Sequence, residues 1–298
     1  MYPFAILIGG PTASKKTDLA FEIQDKIPSY VINSDSMQVY DKLEVLTNVP
    51  QKKDLEKHCC RLFQFINYPD KCNVGFWLKN VKSVLSKEKD KIPIFVGGTG
   101  LYLDSLFGNI SPIPKISDSV KLKIEKLHKK FGNHYLYNKL KLVDKDYSKK
   151  ISSNDSQRLI RAISIKVATG KNISYWHSER SKKIFDKIVY VVINNERRKL
   201  YDDINNRCLK ILKSSAIFDV SKFLKQKKAI DHPLHKSIGL EILEKHIEGV
   251  YNFSETIELF SRDTRRYAKR QITWFKNKSK KANFMNFQDA RSYLLRNI

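Results

Sequence analysis

The chain has 298 residues, 41% apolar and 11% aromatic, enough to build a core and to exclude wholesale disorder. Its 56 Lys and Arg against 31 Asp and Glu give a formal net charge of +25. That surplus favours a polyanionic partner, although a lysine-rich composition alone produces the same sign. No run approaches the ~18 apolar residues of a membrane helix, so no membrane contact is expected. No cationic segment precedes the first apolar stretch, which argues against a signal peptide. Cys59, Cys60, Cys72 and Cys208 form no CxxC pair. A reduced, cytoplasmic protein without a disulfide framework or a zinc site is expected.

Residues 4–8 are a short apolar run ending at Gly9-Gly10, the pattern of a buried parallel strand. Residues 17–26 carry Leu19, Ala20 and Ile23 at helical spacing. Residues 30–32 predict a second strand. Residues 74–89 predict a helix with Trp77, Leu78, Val81, Val84 and Leu85 on one stripe. Residues 92–96 predict a third strand, closed by Gly97-Gly98. Such alternation predicts a doubly wound α/β domain, which binds ligand at the carboxyl ends of its strands. Ser111-Pro112-Ile113-Pro114 then breaks the pattern. From 111 to 150 there are 11 Lys, no Arg and 4 acidic residues, with Leu122, Ile124, Leu127, Leu136, Leu140 and Leu142 spaced between them. Residues 111–186 are therefore read as a basic helical insertion. Residues 188–193 predict a return to the sheet, and the chain from 196 onward reads as mostly helical. The expected fold is an α/β, P-loop-type core (1–110 and 187–298) with a mostly parallel sheet flanked by helices, plus the insertion domain.

Gly10-Pro11-Thr12-Ala13-Ser14-Lys15-Lys16-Thr17 follows a strand and opens a helix, the setting of a phosphate-binding P-loop. There backbone N–H groups would cradle a diphosphate, Lys16 would neutralise it and Thr17 would hold Mg²⁺. Lys15 stands where GxxxxGK[ST] has its second Gly, and a plain basic strand-to-helix turn would share the same setting. Asp35, in Asn33-Ser34-Asp35-Ser36-Met37-Gln38 after the second strand, is placed to be a general base or a metal partner. Ser34, Asp35 or Ser36 would serve equally as a helix N-cap. Gly97-Gly98-Thr99-Gly100 suggests backbone close to a ligand with the Thr99 hydroxyl as donor, or a plain turn. Asn154 or Asp155 can cap a helix whose Gln157, Arg158 and Arg161 offer hydrogen bonds to phosphate or base edges, or form a solvated basic face. In 264–275, Tyr267 and Trp274 share a face and are read as core anchors, with Arg and Lys outward.

Taken in order, GPTAS-x-KT, SDSMQVY, VGGTGLY, NDxQRxxRA with a following TGK, and TRRYAKRQxTWF resemble the tRNA dimethylallyltransferase family over residues 6–276. The resemblance implies transfer of a dimethylallyl group from dimethylallyl diphosphate to N6 of adenosine 37, in tRNAs reading codons that begin with U. It implies that residues 10–17 hold the diphosphate with Mg²⁺, that Asp35 is the general base, and that Thr99 acts near the reacting centre. By the same resemblance, Asp35, Ser36, Met37 and Gln38 contact the tRNA anticodon stem-loop. So do Gln157, Arg158, Leu159, Ile160 and Arg161, and Lys121. Nothing demands more than a monomer. The chain departs from the family's pattern at Lys15. It also departs at Leu46-Thr47-Asn48-Val49-Pro50, which lacks the Gly and Lys of GT-x-KP. Arg61-Leu62 stands in place of paired His, and Leu240 follows Gly239 where Tyr is usual. Two other readings share parts of this pattern: a tRNA-binding relative with weakened or no catalysis, and a P-loop nucleotide kinase using ATP.

Overall fold

The computed structural model describes every residue except Met1, Arg180 and Ala229. Five parallel strands form one sheet in the order β2-β3-β1-β4-β5. They are β1 (Tyr2–Gly9), β2 (Ser29–Asn33), β3 (Ile92–Gly97), β4 (Phe185–Ile193) and β5 (Asn283–Met285). β1 lies between β3 and β4, with Ile8 opposite Val96 on one side and Val191 on the other. The connection from β1 runs to one side of it and that from β3 to the other. This places the topological switch point, and with it the natural ligand crevice, at the carboxyl end of β1.

Both faces of the sheet are covered, which is why its strands read as apolar runs rather than alternating patterns. Ile6, Ile8, Val31, Ile94, Val96 and Val191 point to one face, packed with Leu19 and Ile23 of helix Lys16–Gln24 and Ala290 and Leu294 of helix Phe287–Asn297. Ala5, Leu7, Ile32 and Phe95 point to the other. There they meet Trp77, Val81 and Leu85 of helix Val74–Lys87, Leu200 and Ile204 of helix Arg197–Leu212, and Ala268 and Phe275 of helix Phe253–Lys278. The buried Trp77 ring also donates through Nε1 to the Asn33 carbonyl at 2.9 Å, pinning the end of β2.

The chain from 196 onward is not wholly helical, because β5 pairs in parallel with β4, Val191 opposite Asn283. Its three residues, Asn283-Phe284-Met285, are too few and too exposed to print a strand pattern in the sequence.

The chain divides into two units, Met1–Phe107 with Ile184–Ile298, and Gly108–Lys183. The second unit packs its own core from Ile124, Leu136, Leu140, Leu159, Ile163 and Ile165. Its long helix, Asp118–Val143, is interrupted at Gly132, where φ is 73°. Among the described residues no helix is long and apolar enough to cross a membrane.

Candidate active site

At the carboxyl ends of β1, β2 and β3 opens a cavity of about 1190 Å³. Its lining carries seven cations, Lys15, Lys16, Lys53, Arg207, Lys210, Lys236 and Arg270, against four carboxylates, Asp18, Asp35, Asp54 and Asp203. Residues 12–17, 35–38 and 45–51 all contribute, so the first two predicted motifs meet in one place. The 46–50 segment, noted only as a departure from the family pattern, is part of the wall.

The 10–17 loop is shaped by two left-handed residues, Ala13 and Lys15, both at φ 61°. Lys15 thus adopts the backbone conformation that Gly takes at no steric cost, and its exposed side chain lies at the cavity. Gly10 allows no substitute: at its φ of 149° a Cβ would lie 2.9 Å from both the Ile193 carbonyl oxygen and Ser14 Oγ. Ser14 Oγ donates to the Pro11 carbonyl at 2.8 Å and Lys16 Nζ to the same oxygen at 2.5 Å. Thr17 lines the cavity one residue further on. Burial pushes the Lys16 amine down to about 8, opposed in part by the Asp35 carboxylate and reinforced by the Arg207 cation. The free protein therefore holds this cation below pH 8 and loses it above. Affinity for a diphosphate ester should be flat below about pH 8. It should then weaken by up to about tenfold per pH unit above it, as one proton must be supplied on binding. Calorimetric titration across pH 6.5–9.5 tests this, and Lys16→Met should abolish the slope.

Asp35 does not cap a helix, since no helix begins there. Its Oδ1 accepts the Met37 N–H at 2.9 Å in a tight turn, and its own N–H donates to Asn33 Oδ1 at 2.8 Å. Its charge acts on Lys16, Arg207 and Tyr267. Ser36 is held by Thr99: Thr99 Oγ1 accepts the Ser36 N–H at 2.9 Å and donates to Ser36 Oγ at 3.1 Å. The Thr99 hydroxyl is thus engaged with the Asp35 turn. Gln38 lines the cavity, but its amide nitrogen is committed to the carbonyls of Thr47 and Asn48 at 3.1 and 2.8 Å. The glycines of 97–100 serve protein packing. A Cβ at Gly97 would lie 2.2 Å from the Ser34 carbonyl, at Gly98 2.3 Å from Gln271 Nε2, and at Gly100 1.9 Å from the Trp274 ring.

Four residues at the site were given no part in it by the sequence reading. Arg207, partly buried, donates to Thr12 Oγ1, and burial pushes its pKa down. Tyr267 lines the cavity instead of anchoring the core, and burial pushes its phenol up. Arg270 lines the same wall, and Gln271 bonds the 10–17 loop. The signal available was their position on two long amphipathic helices. Only tertiary packing brings the faces of those helices to the strand ends.

On the second unit, Asp155 caps helix Ser156–Thr169 by accepting the Arg158 N–H at 3.1 Å, and also pairs with the Arg158 side chain. Gln157, Arg158 and Arg161 are exposed. Leu159 is not available to RNA: it is fully buried in the unit's core, because it falls on the helix face opposite those polar residues. Ile160 is partly buried against the same core. Leu159→Ala should cost about 2–5 kcal/mol of stability by thermal denaturation, whereas Gln157→Ala should leave the unfolding temperature unchanged. Lys121 pairs with Asp118 at 3.1 Å one turn earlier.

Fold and site together define a parallel α/β protein with a cationic cavity at the carboxyl ends of its strands. The chain belongs to the IPP transferase family, whose family model matches residues 38–278. It is 39% identical over 272 residues to a tRNA dimethylallyltransferase of Pelagibacter ubique, covering 90% of this chain and 87% of that one. Among solved structures it is similar to a tRNA isopentenylpyrophosphate transferase of Staphylococcus epidermidis. That match has 29% identity and a TM-score of 0.65, over 95% of this chain and 93% of that one. It also shares the fold of a eukaryotic dimethylallyltransferase described as acting on tRNA. There the TM-score is 0.78 at 24% identity, over 92% of this chain and 70% of that one.

Proposed function

We propose that the protein transfers the dimethylallyl group of dimethylallyl diphosphate to the exocyclic N6 of adenosine 37 in tRNAs that read codons beginning with U. The observation that carries this reading is the meeting of opposite chemistries in one cavity. A phosphate-type loop with Lys16 and Arg207 lines it beside a carboxylate, Asp35. A leaving diphosphate needs the first and an amine nucleophile of low basicity needs the second.

The step balances simply. N6 attacks the allylic carbon, the C–N bond forms, the C–O bond to diphosphate breaks, and the N6 proton passes to Asp35. Loop amides, Lys16 and Arg207 take up the charge growing on the leaving oxygens. The hydroxyl of Thr17, a hard oxygen donor on the cavity wall, suits Mg²⁺ completed by phosphate oxygens and water. Mg²⁺ there would supply further charge neutralisation to the leaving group. Met37 and the apolar side chains Val45, Leu46, Ile238 and Phe260 supply a dry wall for a prenyl group. An anticodon base must leave its stack to reach such a cavity. The exposed Gln157, Arg158 and Arg161 of the second unit and the net charge of +25 supply phosphate contacts.

The test is nucleoside mass spectrometry after incubating an unmodified A36-A37-A38 stem-loop with dimethylallyl diphosphate and Mg²⁺. N6-(dimethylallyl)adenosine should appear, and should vanish when A37 is replaced by G. Phosphorylated product from ATP would support a kinase instead.

A further inference from the structure

Gln271 lies within helix Phe253–Lys278 and is only 6% exposed. Its Oε1 accepts the Thr12 N–H at 2.8 Å, and its Nε2 donates to the Gly98 carbonyl at 3.0 Å. Both partners are backbone groups of fixed polarity, so the carboxamide fits only one way round. One partner belongs to the loop after β1 and the other to the loop after β3, so a single side chain spans the two. Absence of a Cβ at residue 98 is what leaves room for it. Beyond each bond a chain of contacts continues. The Thr12 hydroxyl accepts from Arg207, while Thr99, next to Gly98, holds Ser36 and hence the Asp35 turn.

We propose that Gln271 is a positioning residue that fixes the separation between the diphosphate-holding loop and the Asp35 base. It touches neither substrate. It sets the distance across which the allylic carbon and N6 must meet, and a misplacement of about 1 Å can cost about 10²-fold in rate. The inference rests on the proposed function and deepens it.

Two variants test it in the full chain by single-turnover transfer to the stem-loop. Gln271→Leu removes both bonds, and transfer should fall about 10²-fold, with affinities for stem-loop and dimethylallyl diphosphate within about threefold of wild type. Gln271→Glu has the same shape and keeps the bond from Thr12. Its carboxylate, however, faces the Gly98 carbonyl and can donate only when protonated, a form that this neighbour favours. Lys16, Asp35, Arg207 and Tyr267 are the same in both enzymes, so the ratio of variant to wild-type rate isolates the new carboxyl. That ratio should be near 10⁻² at pH 8 and rise about tenfold by pH 6, whereas simple loss of packing leaves it flat. The isosteric Glu variant keeps the test open if the Leu variant fails to fold. Wild-type rates in either variant, losses confined to affinity, or a flat ratio would overturn the role of Gln271. A wild-type protein that binds the stem-loop and transfers nothing overturns the proposed function instead.

Discussion

Asp35→Asn is expected to lower single-turnover transfer by about 10³-fold while stem-loop affinity stays within about threefold. The substitution keeps an oxygen to accept the Met37 N–H, so the turn that aims residue 35 survives. On the proposed mechanism it removes the capacity to take a proton from N6 as the C–N bond forms. Loss of the negative charge also leaves Lys16 and Arg207 with less opposing charge, so diphosphate affinity should hold or improve. Turnover within tenfold of wild type would remove Asp35 as the base. A parallel collapse of RNA binding would assign it to recognition rather than proton transfer.

Arg207→Met is expected to reduce transfer by about 10²–10³-fold, the size of effect seen when one preorganised donor to a developing anion is deleted. Burial in the cavity wall pushes the guanidinium's pKa down, opposed in part by the Asp35 carboxylate, and among the described residues its hydrogen bond goes to one neutral hydroxyl of the loop, that of Thr12. On the proposed function this desolvated cation meets the anion of the leaving diphosphate. Removing it should leave the unfolding temperature equal to or above that of wild type, because the buried charge goes with it. Arg207→Lys should recover only part of the loss, since an ammonium lacks the planar fork that can reach the Thr12 hydroxyl and a phosphate oxygen together. Wild-type transfer by the Met variant, measured alongside its melting curve, would contradict this assignment.

The sheet was legible because its strands are buried on both faces. The runs at 4–8, 30–32, 92–96 and 188–193 could hardly be anything else, and each falls within an observed strand. β5 was not legible, because a three-residue edge strand takes its stability from β4 rather than from its own pattern. The same division runs through the site. Loops that follow strands bring their residues to the cavity by topology alone, so residues 12–17 and 35–38 could be placed together beforehand. Arg207, Tyr267 and Gln271 reach it from helices remote in sequence. A helical stripe tells which residues share a face, not what that face will meet. Tyr267 and Trp274 illustrate this, since seven residues apart on one helix they part company. Tyr267 borders the cavity, and Trp274 covers Gly100. The glycines of 97–100 suggest either backbone close to a ligand or a plain turn; Gly97 borders the cavity, and the space the missing Cβ atoms leave is filled by Ser34, Gln271 and Trp274. Local sequence reports that a Cβ is missing but not which neighbour requires its absence.

The central claim is that one cavity grips a departing diphosphate while Asp35 deprotonates the base that displaces it. The most direct measurement uses dimethylallyl diphosphate labelled differently in its prenyl and phosphate parts, a single turnover with the A36-A37-A38 stem-loop, and Mg²⁺. Prenyl label in the RNA and free diphosphate should appear together in equal amounts, with no requirement for ATP, and about 10³-fold more slowly with Asp35→Asn. Stem-loop bound in a salt-dependent manner without prenyl label, or diphosphate released without a matching RNA product, would contradict the account.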